Sequence, residues 1–224
     1  MVKLVGIAGK MGSGKTSLAL LIKQQLVLTT GEKWYSAAFG DSLKVLVAKI
    51  YGVPSALCYS EHGKSMCPPS GVPKPIEKDD LPYPLSDLTG VQHVNDVLLQ
   101  ESDQNHSLGR LLQITGEAFR TYVDPDYWVK ALEFDLDPTL NYVIDDVRYP
   151  NEYEWFYRTR VGIVGRVVST DITTTYCGRD ANHKSETALD DCVKWDFELE
   201  NIKEMTDIAL VNEISKKLKP LIFK

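Results

Sequence analysis

Apolar residues follow two alternating rhythms along the chain. Residues 3–8 form a short run rich in β-branched side chains, and a glycine-rich stretch follows. Leu18, Leu21, Ile22 and Leu26 then recur at helical spacing within 16–27. That order reads as strand, loop, helix. Residues 34–39 predict a second strand, and 41–50 a helix that stops at Gly52 and Pro54. Farther on the pattern predicts a helix over 108–122, another starting near Asp126, a strand over 141–147, a helix over 151–160 and a strand over 163–169. A polar segment, 170–184, precedes a short helix, a last strand near 195–199, and a closing helix. Ile208, Val211, Ile214 and Leu218 make one face of that helix. Strands alternating with helices imply an α/β fold, a parallel five-stranded sheet covered on both sides.

Between 53 and about 92 the rhythm fails. Seven of the 11 prolines fall there, at 54, 68, 69, 73, 75, 82 and 84. This stretch reads as an insertion or mobile loop, and 53–106 as an acceptor-side subdomain inserted in a single domain covering 1–224. The length suits one such domain, with 43% hydrophobic and 25% charged residues providing a core. A net charge of −6 argues against a partner made of nucleic acid, which demands a basic surface. Four scattered cysteines, Cys58, Cys67, Cys177 and Cys192, suit reduced thiols in a cytoplasm better than a disulfide framework. No run approaches the roughly 18 apolar residues of a membrane span, and the apolar start, broken at Lys10, reads as a buried strand rather than a leader. The expectation is a soluble cytoplasmic protein, with a homodimer left open.

Gly9-Lys10-Met11-Gly12-Ser13-Gly14-Lys15-Thr16 satisfies G-x-x-x-x-G-K-[ST], between the first strand and the first helix, where that motif works. Glycines let consecutive N–H groups point inward at phosphate oxygens, and the helix N-terminus adds partial positive charge. Gly9, Met11, Gly12, Ser13, Gly14, Lys15, Thr16 and Ser17 are the expected contacts to ATP. Lys15 reaches its β- and γ-phosphates and Thr16 ligates Mg²⁺. The plain alternative, an accidental glycine-rich turn, lacks the strand–helix context.

The strand over 141–147 runs into Asp145-Asp146-Val147-Arg148 at its carboxyl end, the edge where open parallel sheets bind ligands. Asp145 or Asp146 is the candidate for the Mg²⁺ shell; alternation does not rank the two, and Asp146 is the slight favourite. Arg148 is the candidate for gripping a phosphate bidentately. The bland reading has the aspartates ending the strand and capping the next helix. On the 108–122 helix, Gln113, Gly116 and Arg120 share a face. A mid-helix glycine costs about 1 kcal/mol against alanine, so Gly116 points to close approach of a ligand or backbone.

The P-loop motif, LLQITGEAFR (111–120), Tyr127-Trp128-Val129, VIDDVRYPNE (143–152) and His183-Lys184-Ser185-Glu186 together resemble the ordered motif series of bacteriophage deoxynucleoside monophosphate kinases. The Thr115-Gly116…Arg120 and Asp146-Val147-Arg148 groups are also similar to the acceptor-phosphate arginines of adenylate-kinase-like enzymes. The resemblance implies the P-loop NTPase fold, Mg-ATP as donor and a deoxynucleoside monophosphate (dNMP) as acceptor. Lys15, Arg120, Arg148 and Asp146 become the expected catalytic residues. Asp41, Lys44, Gln113, Gly116, Arg120, Arg148 and Glu152 become the expected substrate contacts. The chain departs from the family pattern where Glu117 directly follows Gly116, since the family reads Gly-Thr-Glu, and in the proline-rich insertion.

Arg179, His183 and Lys184 fall where related kinases carry a lid, giving 170–188 as its span, closing over the phosphoryl group and excluding water. An ordinary solvated loop, with Ser185 capping a helix, is the equal alternative. Cys58, His62 and Cys67 lack a zinc-site spacing. Tyr127 and Trp128 read as core before base-stacking residues, and Arg158, Arg160 and Arg166 as surface charges. The competing functions are another small-molecule kinase, of the phosphomevalonate or dephospho-coenzyme A type, and a non-catalytic ATP-binding switch or assembly factor.

Overall fold

The computed structural model describes residues 3–159, 162–169, 179–192, 194–200 and 207–222. Within them five strands form, the central three rich in β-branched residues: β1 (Leu4–Ala8), β2 (Trp34–Ala37), β3 (Asn141–Val147), β4 (Gly162–Val168) and β5 (Phe197–Glu200). They lie in the order β2-β3-β1-β4-β5, and every neighbouring pair is parallel. β1, at the centre, is buried along its whole length, as a strand covered on both faces must be.

Nine helices accompany them among the described residues: α1 (Lys15–Thr30), α2 (Asp41–Tyr51), α3 (Glu61–Ser65), α4 (Thr89–Gln100), α5 (Leu108–Tyr122), α6 (Tyr127–Asp135), α7 (Pro150–Arg158), α8 (Lys184–Thr187) and α9 (Asp207–Ile222). The chain divides into two compact units. One takes the described residues of 3–38, 136–169 and 184–222, and the other those of 39–135 and 179–183.

The first unit is a sheet between helices. Val5 and Ile7 of β1 turn to one face and join Leu18, Ile22 and Leu26 of α1 and Ile214 and Leu218 of α9 in one apolar cluster. Gly6, between them, faces the other way, where a Cβ would come within 2.5 Å of the Phe156 ring of α7. On α9 the buried positions are Leu210, Ile214, Leu218 and Ile222. The predicted face is therefore rotated: Val211 is only half-buried, and the Ile208 side chain lies outside the described residues.

The second unit is helical. Leu46, Val47 and Ile50 of α2, Val91, Val94 and Leu98 of α4, Leu111 and Phe119 of α5, and Tyr127 and Trp128 of α6 share its core. The Gly52 stop of α2 is as predicted, in the left-handed conformation with its N–H on the Ala48 carbonyl. The stretch read as an insertion or mobile loop runs into a regular helix, α4, that begins at Thr89 and continues through Gln100. Its start is set by Asp87, whose carboxylate accepts from both the N–H and the hydroxyl of Thr89.

Candidate functional site

β1 ends at Ala8 and α1 begins at Lys15, so the glycine-rich loop occupies the carboxyl end of the central strand. Gly14 caps α1 in the left-handed region at φ 82°, and as a glycine it offers no side chain to cap the first helical amides. Gly9, at φ 151°, has no room for a side chain: a Cβ would sit 2.7 Å from the Val167 carbonyl and 2.9 Å from Ser13 Oγ. Thr16 and Ser17 are exposed on the first turn of α1, while Met11 and Ser13 are buried.

Lys15 lies beneath this loop, 7% exposed, with Nζ donating to the Lys10 carbonyl at 2.7 Å. Burial, and then the Arg148 guanidinium nearby, push its pKa down to about 7. Glu186, Asp145 and Asp146 pull the other way, in decreasing order. An anion arriving on the loop would favour the charged ammonium.

Gly6 pairs with Ile144 and Ala8 with Val147, so β3 carries one extra residue opposite β1, a bulge at Asp145-Asp146. Both aspartates are half-buried, and Asp145 has the larger pull on Lys15. Just beyond, Arg148 donates from Nη1 to the Ser185 carbonyl at 3.1 Å and to Glu186 Oε1. Glu186 is buried, and its other oxygen, Oε2, accepts from the Met11 N–H at 2.9 Å. Glu152, also buried, accepts from the backbone N–H groups of Arg148 and Tyr149 at 2.8 and 3.1 Å. Its carboxylate holds the turn from β3 into α7 and so carries Arg148.

Arg148 and Glu186 border a cleft of about 220 Å³, whose walls also include Gly9, Ser13, Arg166 and Trp195. Arg166 was expected at the surface. It is half-buried instead, because β4 pairs it with Ala8, at the start of the loop. A Lys10–Asp190 ion pair of 3.0 Å joins the loop to the segment after α8. Glu186 and Arg166 are the site residues that pattern reading missed. Both depend on pairings between segments far apart in sequence. The only signal was that Glu186 follows Ser185 in the quoted motif.

The other expected contacts belong to the second unit. The Gln113 amide is clamped to the backbone of Asp180, accepting from its N–H at 2.9 Å and donating to its carbonyl at 3.0 Å. Arg120 Nη1 and Trp128 Nε1 both donate to the Gly116 carbonyl, at 3.2 and 3.1 Å. The close approach inferred at Gly116 is made by side chains: a Cβ would lie 3.0 Å from Leu43 and 3.4 Å from Arg120 Nη1. Asp41 pairs with Lys44 at 3.1 Å, and the Lys44 ammonium lies 4.5 Å above the Tyr59 ring.

Of the lid candidates, Arg179 is folded down onto Gly109 and paired with Glu61. His183 is half-buried; burial lowers its pKa, with Glu117 and Asp180 opposing and Arg110 and Arg120 reinforcing that shift. Lys184 is exposed at the start of α8, in the first unit. Residues 170–178 of the expected lid, with Cys177, lie outside the described residues, as does Arg160.

Tyr127 and Trp128 are core, fully buried against Phe119. Cys58 is buried, which raises its thiol pKa, and Cys67 donates to the Asn105 carbonyl. Among the described residues no group of three or more His, Cys, Asp or Glu side chains is placed to hold a metal ion, and no helix is long and apolar enough to cross a membrane. No family model and no curated protein matches this chain.

Proposed function

We propose that this chain is a P-loop NTPase-fold phosphotransferase that moves the γ-phosphoryl group of Mg-ATP onto a small phosphorylated acceptor. A deoxynucleoside monophosphate is the acceptor its motif series favours. The observation that carries the proposal is the burial of Lys15 under a glycine-rich loop at the carboxyl ends of parallel strands, within the electrostatic reach of Arg148.

A buried lysine whose charge is disfavoured in the free protein gains most from a polyanion, and the glycine-rich loop leading into the N-terminus of α1 suits phosphate oxygens. Thr16 and Asp145 or Asp146 offer hard oxygen donors. That set suits Mg²⁺, which is commonly held by one or two carboxylates and completed by substrate phosphates. Bound there, the ion would supply charge neutralisation for the phosphates.

In the proposed reaction an acceptor phosphate oxygen attacks the γ-phosphorus, the bond to the bridging oxygen breaks, and ADP leaves with the electron pair. The acceptor's second ionisation lies near pH 6, so its oxygen is already anionic and no general base is needed. Lys15 and Arg148 neutralise charge on the transferring group, and Arg120 is the proposed acceptor-phosphate ligand. The test is ADP release from Mg-ATP with each dNMP and NMP in turn, with Lys15→Ala as the blank. Stimulation by one or a few acceptors supports the reading. A slow release that no acceptor changes favours an ATP-binding switch.

A further inference from the structure

Arg148 does not reach the cleft unaided. Its backbone is held by Glu152, but its guanidinium is held by α8, through the Ser185 carbonyl and the Glu186 carboxylate. The Glu186 side chain is 4% exposed, and its second oxygen is bonded to the Met11 amide within the glycine-rich loop. One buried carboxylate therefore joins three segments: the loop after β1, the turn after β3 and helix α8.

From this geometry we infer that Glu186 is a positioning residue, which aims the Arg148 guanidinium at the phosphates and ties it to the loop. The inference rests on the phosphotransferase reading for its consequence, though not for its geometry. Arg148 and Glu186 both line the cleft, and both act on the buried Lys15: the Arg148 charge disfavours its ammonium and the Glu186 charge favours it. A carboxylate has two acceptor oxygens, and both are used, one on the Met11 backbone amide and one on the Arg148 side chain. A glutamine of equal size keeps one acceptor and turns an N–H₂ toward the other donor, so it must release either Met11 or Arg148. Because Arg148 has the freer side chain, it is the partner that leaves.

The experiment pairs Glu186→Gln with two readouts. The first uses the nucleotide-free protein and needs no turnover: the ¹⁵N side-chain signals of Arg148. Held at two acceptors, its Nη groups rotate slowly and give resolved signals in the wild type, which collapse to an averaged pair in E186Q. The second is kinetic. E186Q lowers kcat about ten- to a hundredfold while donor affinity changes less than about threefold, as expected when a charge-assisted contact is lost mainly from the transition state.

In the Arg148→Ala background, E186Q adds less than about a twofold loss, because Glu186 acts through Arg148. Unchanged Arg148 signals in E186Q overturn the inference. So do losses that multiply in the double variant, which would give Glu186 a separate role. If the wild type transfers phosphate to no acceptor, the phosphotransferase reading falls, and the Arg148 signals alone still decide the positioning. Should E186Q not fold, Glu186→Asp replaces it, keeping both oxygens one methylene short of their partners, with the same readouts.

Discussion

Lys15 shows how a single buried charge couples folding, binding and pH. Its pKa of about 7 lies below the ordinary 10.5, so between those values the unfolded chain binds a proton that the folded one does not. The contribution of Lys15 to stability therefore rises with pH across that window, and its full cost is present below about pH 7. A polyphosphate that restores the charge must bring a proton with it. At pH 8, ATP binding is expected to take up close to one proton, seen by calorimetry in buffers of different ionisation enthalpy. Lys15→Arg, permanently charged, should abolish the uptake; uptake that survives in that variant would remove Lys15 as its source. Gly9→Ala is expected to cost about 1–3 kcal/mol, since the position combines an unfavourable backbone angle with a carbonyl 2.7 Å from the new Cβ. A thermal midpoint equal to that of the wild type would contradict this. The residue types of this loop were legible because a contiguous motif encodes them. Asp145 and Asp146 were not separable, because a bulge breaks the alternation on which such a ranking depends.

Helix α7 illustrates what an element needs beyond its apolar face. Glu152 in its first turn accepts two backbone N–H groups from the turn that leads out of β3, so that turn is anchored by the helix it starts. Glu152→Ala leaves those donors without their carboxylate and is expected to destabilise the protein by about 1–3 kcal/mol in chemical denaturation. It should also weaken phosphoryl transfer, because Arg148 sits in that turn; full activity with reduced stability would separate the two roles. Most strands and helices were readable from period alone. Helix α4 was obscured although Val91, Val94 and Leu98 carry helical spacing, since the prolines before it set the local texture. Helix α9 was readable as a helix, yet its face was misjudged. Its buried residues step by four, and only packing against α1 and the sheet selects that stripe over the one beside it.

For the whole molecule, alternating strands and helices announced a parallel sheet, and the sheet has that form. The division into units was less legible. Leu46, Val47 and Ile50 of α2 mark an apolar face, but periodicity does not say which core receives it. They pack with α4, α5 and α6, so the second unit reaches well beyond 53–106. The same limit applies to the site, where Arg148, Glu186 and Met11 meet across separations that no local pattern carries. Arg120→Ala is expected to raise the acceptor KM at least about tenfold, and Arg148→Ala to lower kcat with acceptor at least about tenfold, each leaving ATP affinity within about threefold. Acceptor kinetics indifferent to either change would remove that arginine from the proposed site. The most direct test remains ADP release from Mg-ATP across the full series of dNMPs and NMPs. Strong stimulation by one or a few deoxynucleotides, absent in Lys15→Ala, is the predicted result, and a release rate that no acceptor alters would contradict a phosphotransferase acting on nucleoside monophosphates.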